Sequence, residues 1–196
     1  EISRCDWSSD VCSSDLQFET AHPFLDGNGR LGRLLITLML INDGVLHSCL
    51  FYPSFQFKKN RSEYYRQLTS VRERGTYEEW IEFFCNSLLE SAEDSVGSLK
   101  NLVDLHNRST ATITENLGRT AANGQRLLGI LEEHPIVDTA FIAAQLDIGR
   151  STASSLVKSF EELGILRPLD ESRQRYRQYG YEEYLSILRE DAEPIR

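Results

Sequence analysis

A glycine-flanked turn, Gly27-Asn28-Gly29, runs directly into a segment of helical apolar period, and this junction constrains the chain more than any other stretch. Gly27 and Gly29 are expected at positive φ, so that successive N–H groups converge on one point. From Asn28 onward Leu31, Leu34, Leu35, Leu38, Met39 and Ile41 recur as an apolar face, with Gly44 placed to end the helix. The turn therefore stands at a helix N-terminus, where free N–H groups and the helix dipole favour an anion. Arg30 and Arg33 lie three residues apart, so both guanidiniums can address the same polyphosphate.

Two further residues of the same stretch carry chemistry. His22 offers an imidazole, the side chain that titrates nearest neutrality and is the commonest general base. Asp26 offers one hard carboxylate beside the turn, which is enough for Mg²⁺ when phosphates supply further oxygens. Each feature has an ordinary structural explanation when taken singly. Their joint order is what points to phosphate chemistry, which depends on positioning and charge stabilisation.

The stretch His22-Pro23-Phe24-Leu25-Asp26-Gly27-Asn28-Gly29-Arg30-Leu31-Gly32-Arg33 resembles the signature of the Fic domain family at every specified position. The resemblance implies AMP transfer from ATP to a Ser, Thr or Tyr hydroxyl of a target protein. It implies His22 as general base, Asp26 as Mg²⁺ ligand, and Gly27, Asn28, Gly29, Arg30 and Arg33 as nucleotide-binding residues. Lys58-Lys59-Asn60-Arg61-Ser62-Glu63-Tyr64-Tyr65 resembles the segment that follows the signature in many Fic domains, which would set Tyr64 and Tyr65 near the adenosine. A kinase branch of the family departs from Gly-Asn-Gly, which this chain retains.

With 196 residues and 40% hydrophobic content, the chain can bury a substantial core and accommodates two domains. Its formal charge of −9 argues against broad electrostatic attraction to nucleic acid. No run of eighteen apolar residues exists, so no membrane partner is expected. Cys5, Cys12, Cys49 and Cys85 show neither zinc spacing nor a disulfide framework, which suits a reducing cytoplasm. Residues 1–16 repeat Ser-Ser-Asp without periodicity and resemble translated sequencing-adapter sequence. They are read as a non-native leader, with native sequence resuming at Gln17-Phe18-Glu19-Thr20-Ala21, a remnant of the helix that delivers the histidine.

The expected fold class is mainly α: a partial Fic-type helical core over residues 17–116, a linker at 117–123 and a small winged helix-turn-helix domain over 124–196. Helices are predicted from Phe57 to Arg74, stopped by Gly75, and from Tyr77 to about Glu115, with Trp80, Ile81, Phe84, Leu88 and Leu89 facing inward. Further helices are predicted at 125–133, 138–146 and 151–163, followed by wing strands at 165–169 and 175–179. In the winged-helix reading, Ser151, Thr152, Ser154, Ser155 and Lys158 offer polar contacts, and Arg173, Arg175 and Arg177 make the wing basic. Residues 121–196 nevertheless hold nine basic against thirteen acidic side chains, a net of −4, which suits protein docking or pairing of two copies better than DNA. The competing function is a nucleotide-sensing transcriptional regulator that contacts DNA through this domain.

Overall fold

The computed structural model describes residues 7–47, 53–170 and 177–190. It is mainly α-helical, with one small antiparallel sheet. Contacts divide the chain into a unit ending at Gly97 and a second unit, Ser98–Glu190. That division lies within one long helix, and the Thr- and Asn-rich residues 109–116 remain helical. The stretch 117–123, read as a linker, contains the last residue of that helix, a single 3₁₀ turn at Gly118–Thr120 and the start of the next helix.

The first unit contains α1 (Trp7–Ala21), α2 (Asn28–Asn42), α3 (Pro53–Lys59), α4 (Arg61–Arg74) and the first half of α5 (Tyr77–Leu117). Residues 7–16, assigned to a leader from composition, are the first part of α1. Val11, Cys12 and Leu16 are buried, and so are the carboxylates Asp15 and Glu19. These five positions follow a helical i, i+1, i+4, i+5, i+8 pattern that a hydrophobicity reading misses, because two of them are acids. Helix α2 starts at Asn28 as expected, but its buried face is not the expected one. Gly32, Ile36, Thr37 and Leu40 point inward, whereas Leu31, Leu34 and Leu38 are about half exposed. Gly32 sets that face: a Cβ there would stand 3.3 Å from Phe18 and Glu19 and 3.4 Å from Asp15, so the two helices meet where no side chain intervenes.

The predicted helix over 57–74 is two helices, interrupted at Asn60. Gly75 ends α4 in the left-handed conformation (φ 70°) and donates to the Val71 carbonyl, as the sequence suggests. Phe57, Tyr64, Trp80 and Phe84 form the aromatic centre of this core, with neighbouring ring centroids 5.3–5.7 Å apart. Each such contact contributes about 0.5–1.5 kcal/mol beyond area burial. The Trp80 indole also donates to the Cys12 carbonyl at 3.2 Å, which ties α5 to α1. Leu89, expected inside, is exposed.

The second unit has α6 (Ala121–Glu133), β1 (Ile136–Asp138), α7 (Thr139–Leu146), α8 (Arg150–Glu162), β2 (Arg167–Pro168), β3 (Gln178–Gly180) and α9 (Glu182–Glu190). Three helices followed by an antiparallel pair is the arrangement expected of a small winged domain. The sheet order is β1-β3-β2, with Val137 opposite Tyr179 and Pro168 opposite Tyr179 on the other side. Asp138 caps α7 by accepting from the Phe141 N–H at 2.8 Å. Strand β1 and helix α9 are additions to the predicted elements. Tyr181, at the start of α9, reaches the second half of α5, its hydroxyl 2.8 Å from Ser109 Oγ. Arg177 directly precedes β3. Arg173 and Arg175, with the first part of the predicted second wing strand, lie outside the described residues.

Candidate active site

Helix α1 ends at Ala21, and His22 follows in the left-handed conformation (φ 44°), its N–H still donating to the Phe18 carbonyl at 3.0 Å. Histidine is one of the few non-glycine residues enriched in that region. Pro23 then has no N–H with which to continue the helix. The imidazole is therefore mounted on the cap of α1 and turned out of the helix line.

From His22 the chain loops to α2, and Asn28 closes the loop. Its amide Nδ2 donates to the Phe24 carbonyl at 2.5 Å, and its Oδ1 accepts from the Phe24 N–H at 2.9 Å. Asn28 is only 2% exposed. Sequence reasoning assigned it to the nucleotide; the structure has its amide bracing the loop while the residue also lines the cleft.

Gly27 is the N-cap of α2 with φ 84°, as the sequence suggests. Gly29 departs from expectation: it is a helical residue of α2 and is absent from the positive-φ positions. Its missing side chain serves space instead. A Cβ there would stand 3.0 Å from Arg33 Nη1 and 3.5 Å from Glu19 Oε1. No N-cap side chain occupies the leading N–H groups of α2, which leaves this helix end suited to an anion.

Asp26 is almost fully exposed, and its Oδ1 accepts from the Gly27 N–H at 2.7 Å. Its Oδ2 lies 3.5 Å from Arg30 Nη2, a loose pair between exposed side chains that either partner can leave at little cost. No group of three or more potential metal-ligating side chains occurs among the described residues. A single accessible carboxylate fits a hard cation that takes its remaining oxygens from substrate phosphates and water, and does not fit a cage made of protein alone.

All nine residues named from sequence line one cleft of about 320 Å³: His22, Asp26, Gly27, Asn28, Gly29, Arg30, Arg33, Tyr64 and Tyr65. The two tyrosines differ sharply. Tyr64 is 3% exposed and donates its hydroxyl hydrogen to Asp15 Oδ2 at 2.8 Å, whereas the Tyr65 ring is half exposed. Burial, and next the neighbouring Asp15 carboxylate, push the Tyr64 phenol well above its ordinary range. Burial also raises the Asp15 carboxyl to about 7, reinforced by Glu19 and opposed by the Tyr64 hydrogen bond and Arg33. Arg33, half-buried, thus stands between the cleft and a buried acidic pair.

Phe57, Lys58 and Arg61 line the cleft as well and were not among the assigned residues. The basic run 58–61 was their visible signal. The break between α3 and α4 at Asn60, which puts Lys58 and Arg61 on the same wall, was not.

Residues 12–40 match the Fic/DOC family, a span that covers the last part of α1, the histidine loop and most of α2. A 56-residue stretch is 38% identical to a probable protein adenylyltransferase of Aquifex aeolicus, covering 29% of this chain and 15% of that relative.

Proposed function

From a chain whose residues 12–40 carry a Fic/DOC-family segment, we propose a protein adenylyltransferase that moves AMP from ATP to a hydroxyl side chain of a target protein. The observation that carries this reading is the convergence of a general-base candidate, an exposed carboxylate, a helix N-terminus and four basic side chains on one cleft. The target hydroxyl oxygen attacks the α-phosphorus, the bond to the β-phosphate bridging oxygen breaks, and pyrophosphate departs. His22 accepts the hydroxyl proton as that attack proceeds. Arg30, Arg33 and the start of α2 face the charge that accumulates on the phosphate oxygens. Asp26 would hold Mg²⁺, which would supply positive charge to offset that of the leaving group.

Incubation with ATP labelled in the α-phosphate, Mg²⁺ and a cell extract as the source of targets tests the reading. Label is expected to appear covalently on protein, and His22→Ala to abolish it without weakening ATP binding comparably. Transfer of γ-label alone would replace AMP transfer with a kinase reaction.

A second reading, DNA contact by the winged domain, draws on the exposed polar face of α8, which presents Ser151, Thr152, Ser154, Ser155 and Lys158. Steeply salt-dependent binding of a DNA fragment would support it. The acidic balance of residues 121–196 favours a protein partner, either the target or a second copy of the chain.

A further inference from the structure

We propose that Lys58 and Arg61 hold the donor's phosphate chain and make this cleft selective for a nucleoside triphosphate over its mono- and diphosphate. The inference rests on the nucleotide reading of the cleft and adds two cations from α3 and α4 to it.

Both signature arginines have acidic neighbours, and neither is tightly paired. Arg30 faces Asp26 at 3.5 Å. Arg33 backs onto buried acid: the point where a Gly29 Cβ would stand lies within 3.5 Å of both its Nη1 and Glu19 Oε1. Asp15 feels both Arg33 and Glu19. On a chain of formal charge −9, a substrate of three or four negative charges is favoured by further cations beside these two guanidiniums.

Two further cations line the cleft. Lys58 ends α3, Arg61 begins α4, and the Asn60 break between them sets both side chains on the cleft. Both are exposed, and neither has a carboxylate partner among the described residues. The Arg61 guanidinium lies 5.6 Å from the centroid of the Tyr65 ring one turn along α4, so the aromatic face steadies it without neutralising it. A lysine without a carboxylate partner among the described residues and a ring-supported arginine, lining the same cleft as the N-terminus of α2, form a clamp whose attraction grows with each phosphate on the ligand.

Isothermal titration of the full chain with adenosine, AMP, ADP and ATP at two ionic strengths tests the clamp. The wild-type chain is expected to bind more tightly at each added phosphate, with the increments shrinking in high salt. Lys58→Gln with Arg61→Gln should weaken ATP about tenfold, ADP less and adenosine not at all, and should raise KM for ATP while leaving kcat in place. The charge-keeping Lys58→Arg with Arg61→Lys should restore most of the ladder. An unchanged ATP-to-AMP affinity ratio in the double glutamine variant overturns the proposal, as does an equal loss for adenosine and ATP, which would mark a structural role. A wild-type chain that binds none of the four ligands fails the nucleotide reading itself, and this inference with it.

Discussion

Asn28 and Phe24 are joined by two hydrogen bonds, the Asn28 side-chain amide donating to the Phe24 carbonyl and accepting from its N–H. This amide clasp closes the loop that carries His22 and Asp26. Asn28→Ala leaves the paired backbone groups of Phe24 without their partners, at a cost of about 1–3 kcal/mol. Asn28→Asp keeps the acceptor and loses the donor. Both variants are expected to lower kcat for label transfer more than they raise KM for ATP, as steady-state kinetics beside a urea melt would establish.

The buried Asp15 makes the stability of the chain depend on pH. Its folded-state value of about 7, raised first by burial, exceeds the ordinary carboxyl value of 3.8, so the folded chain holds a proton that the unfolded chain releases between those limits. Stability contributed by the protonated form is complete below about pH 4 and falls as pH rises through 7, at up to ~1.4 kcal/mol per pH unit. Asp15→Asn should flatten that decline. Urea denaturation at pH 5 and pH 8 gives the check: wild type loses stability across the interval from this group, and the variant loses measurably less.

Gly124 in α6 packs where a side chain does not fit. A Cβ there would stand 2.7 Å from Ile113 Cγ2 and 2.8 Å from Leu117 Cδ1, both on α5. Overpacking of this kind costs about 1–3 kcal/mol, while alanine regains up to ~1 kcal/mol of helix propensity. Gly124→Ala is expected to lower the melting temperature by several degrees, read by circular dichroism, and to leave nucleotide binding in the first unit unchanged.

Cys12 is 1% exposed, and burial, followed by the neighbouring Cys85, pushes its thiol up to about 11. The thiolate is the reactive form, so Cys12 should resist alkylation in the native chain at pH 8. Iodoacetamide labelling followed by peptide mass mapping is expected to find Cys12 modified only after denaturant is added, with Cys85, half-buried, reacting first of the two.

The sequence exposed the parts of this molecule that are governed by local chemistry. The start of α2 at Asn28 and the stop at Gly75 each follow from one residue type at one backbone position. Features decided by tertiary packing were hidden. Leucines surround so much of α2 that periodicity could not choose a face, and Gly32, which admits α1, made the choice. Asp15 and Glu19 concealed the buried side of α1 because acids read as solvent-facing until a partner such as Tyr64 is in view. Strand β1 spans three residues, too few for an alternating pattern. For the candidate site, the signature named the residues that meet, whereas Gly29's spatial role and the Lys58–Arg61 wall depend on neighbours distant in sequence.

An imidazole mounted on the end of a helix inherits that end's fraying. His22 hangs from Phe18 by one backbone hydrogen bond at the end of α1, where local opening takes far less free energy than global unfolding. Warming should therefore silence the proton-accepting step while the aromatic centre around Trp80 is still intact, so that catalytic output fades at a lower temperature than tryptophan fluorescence reports for the core.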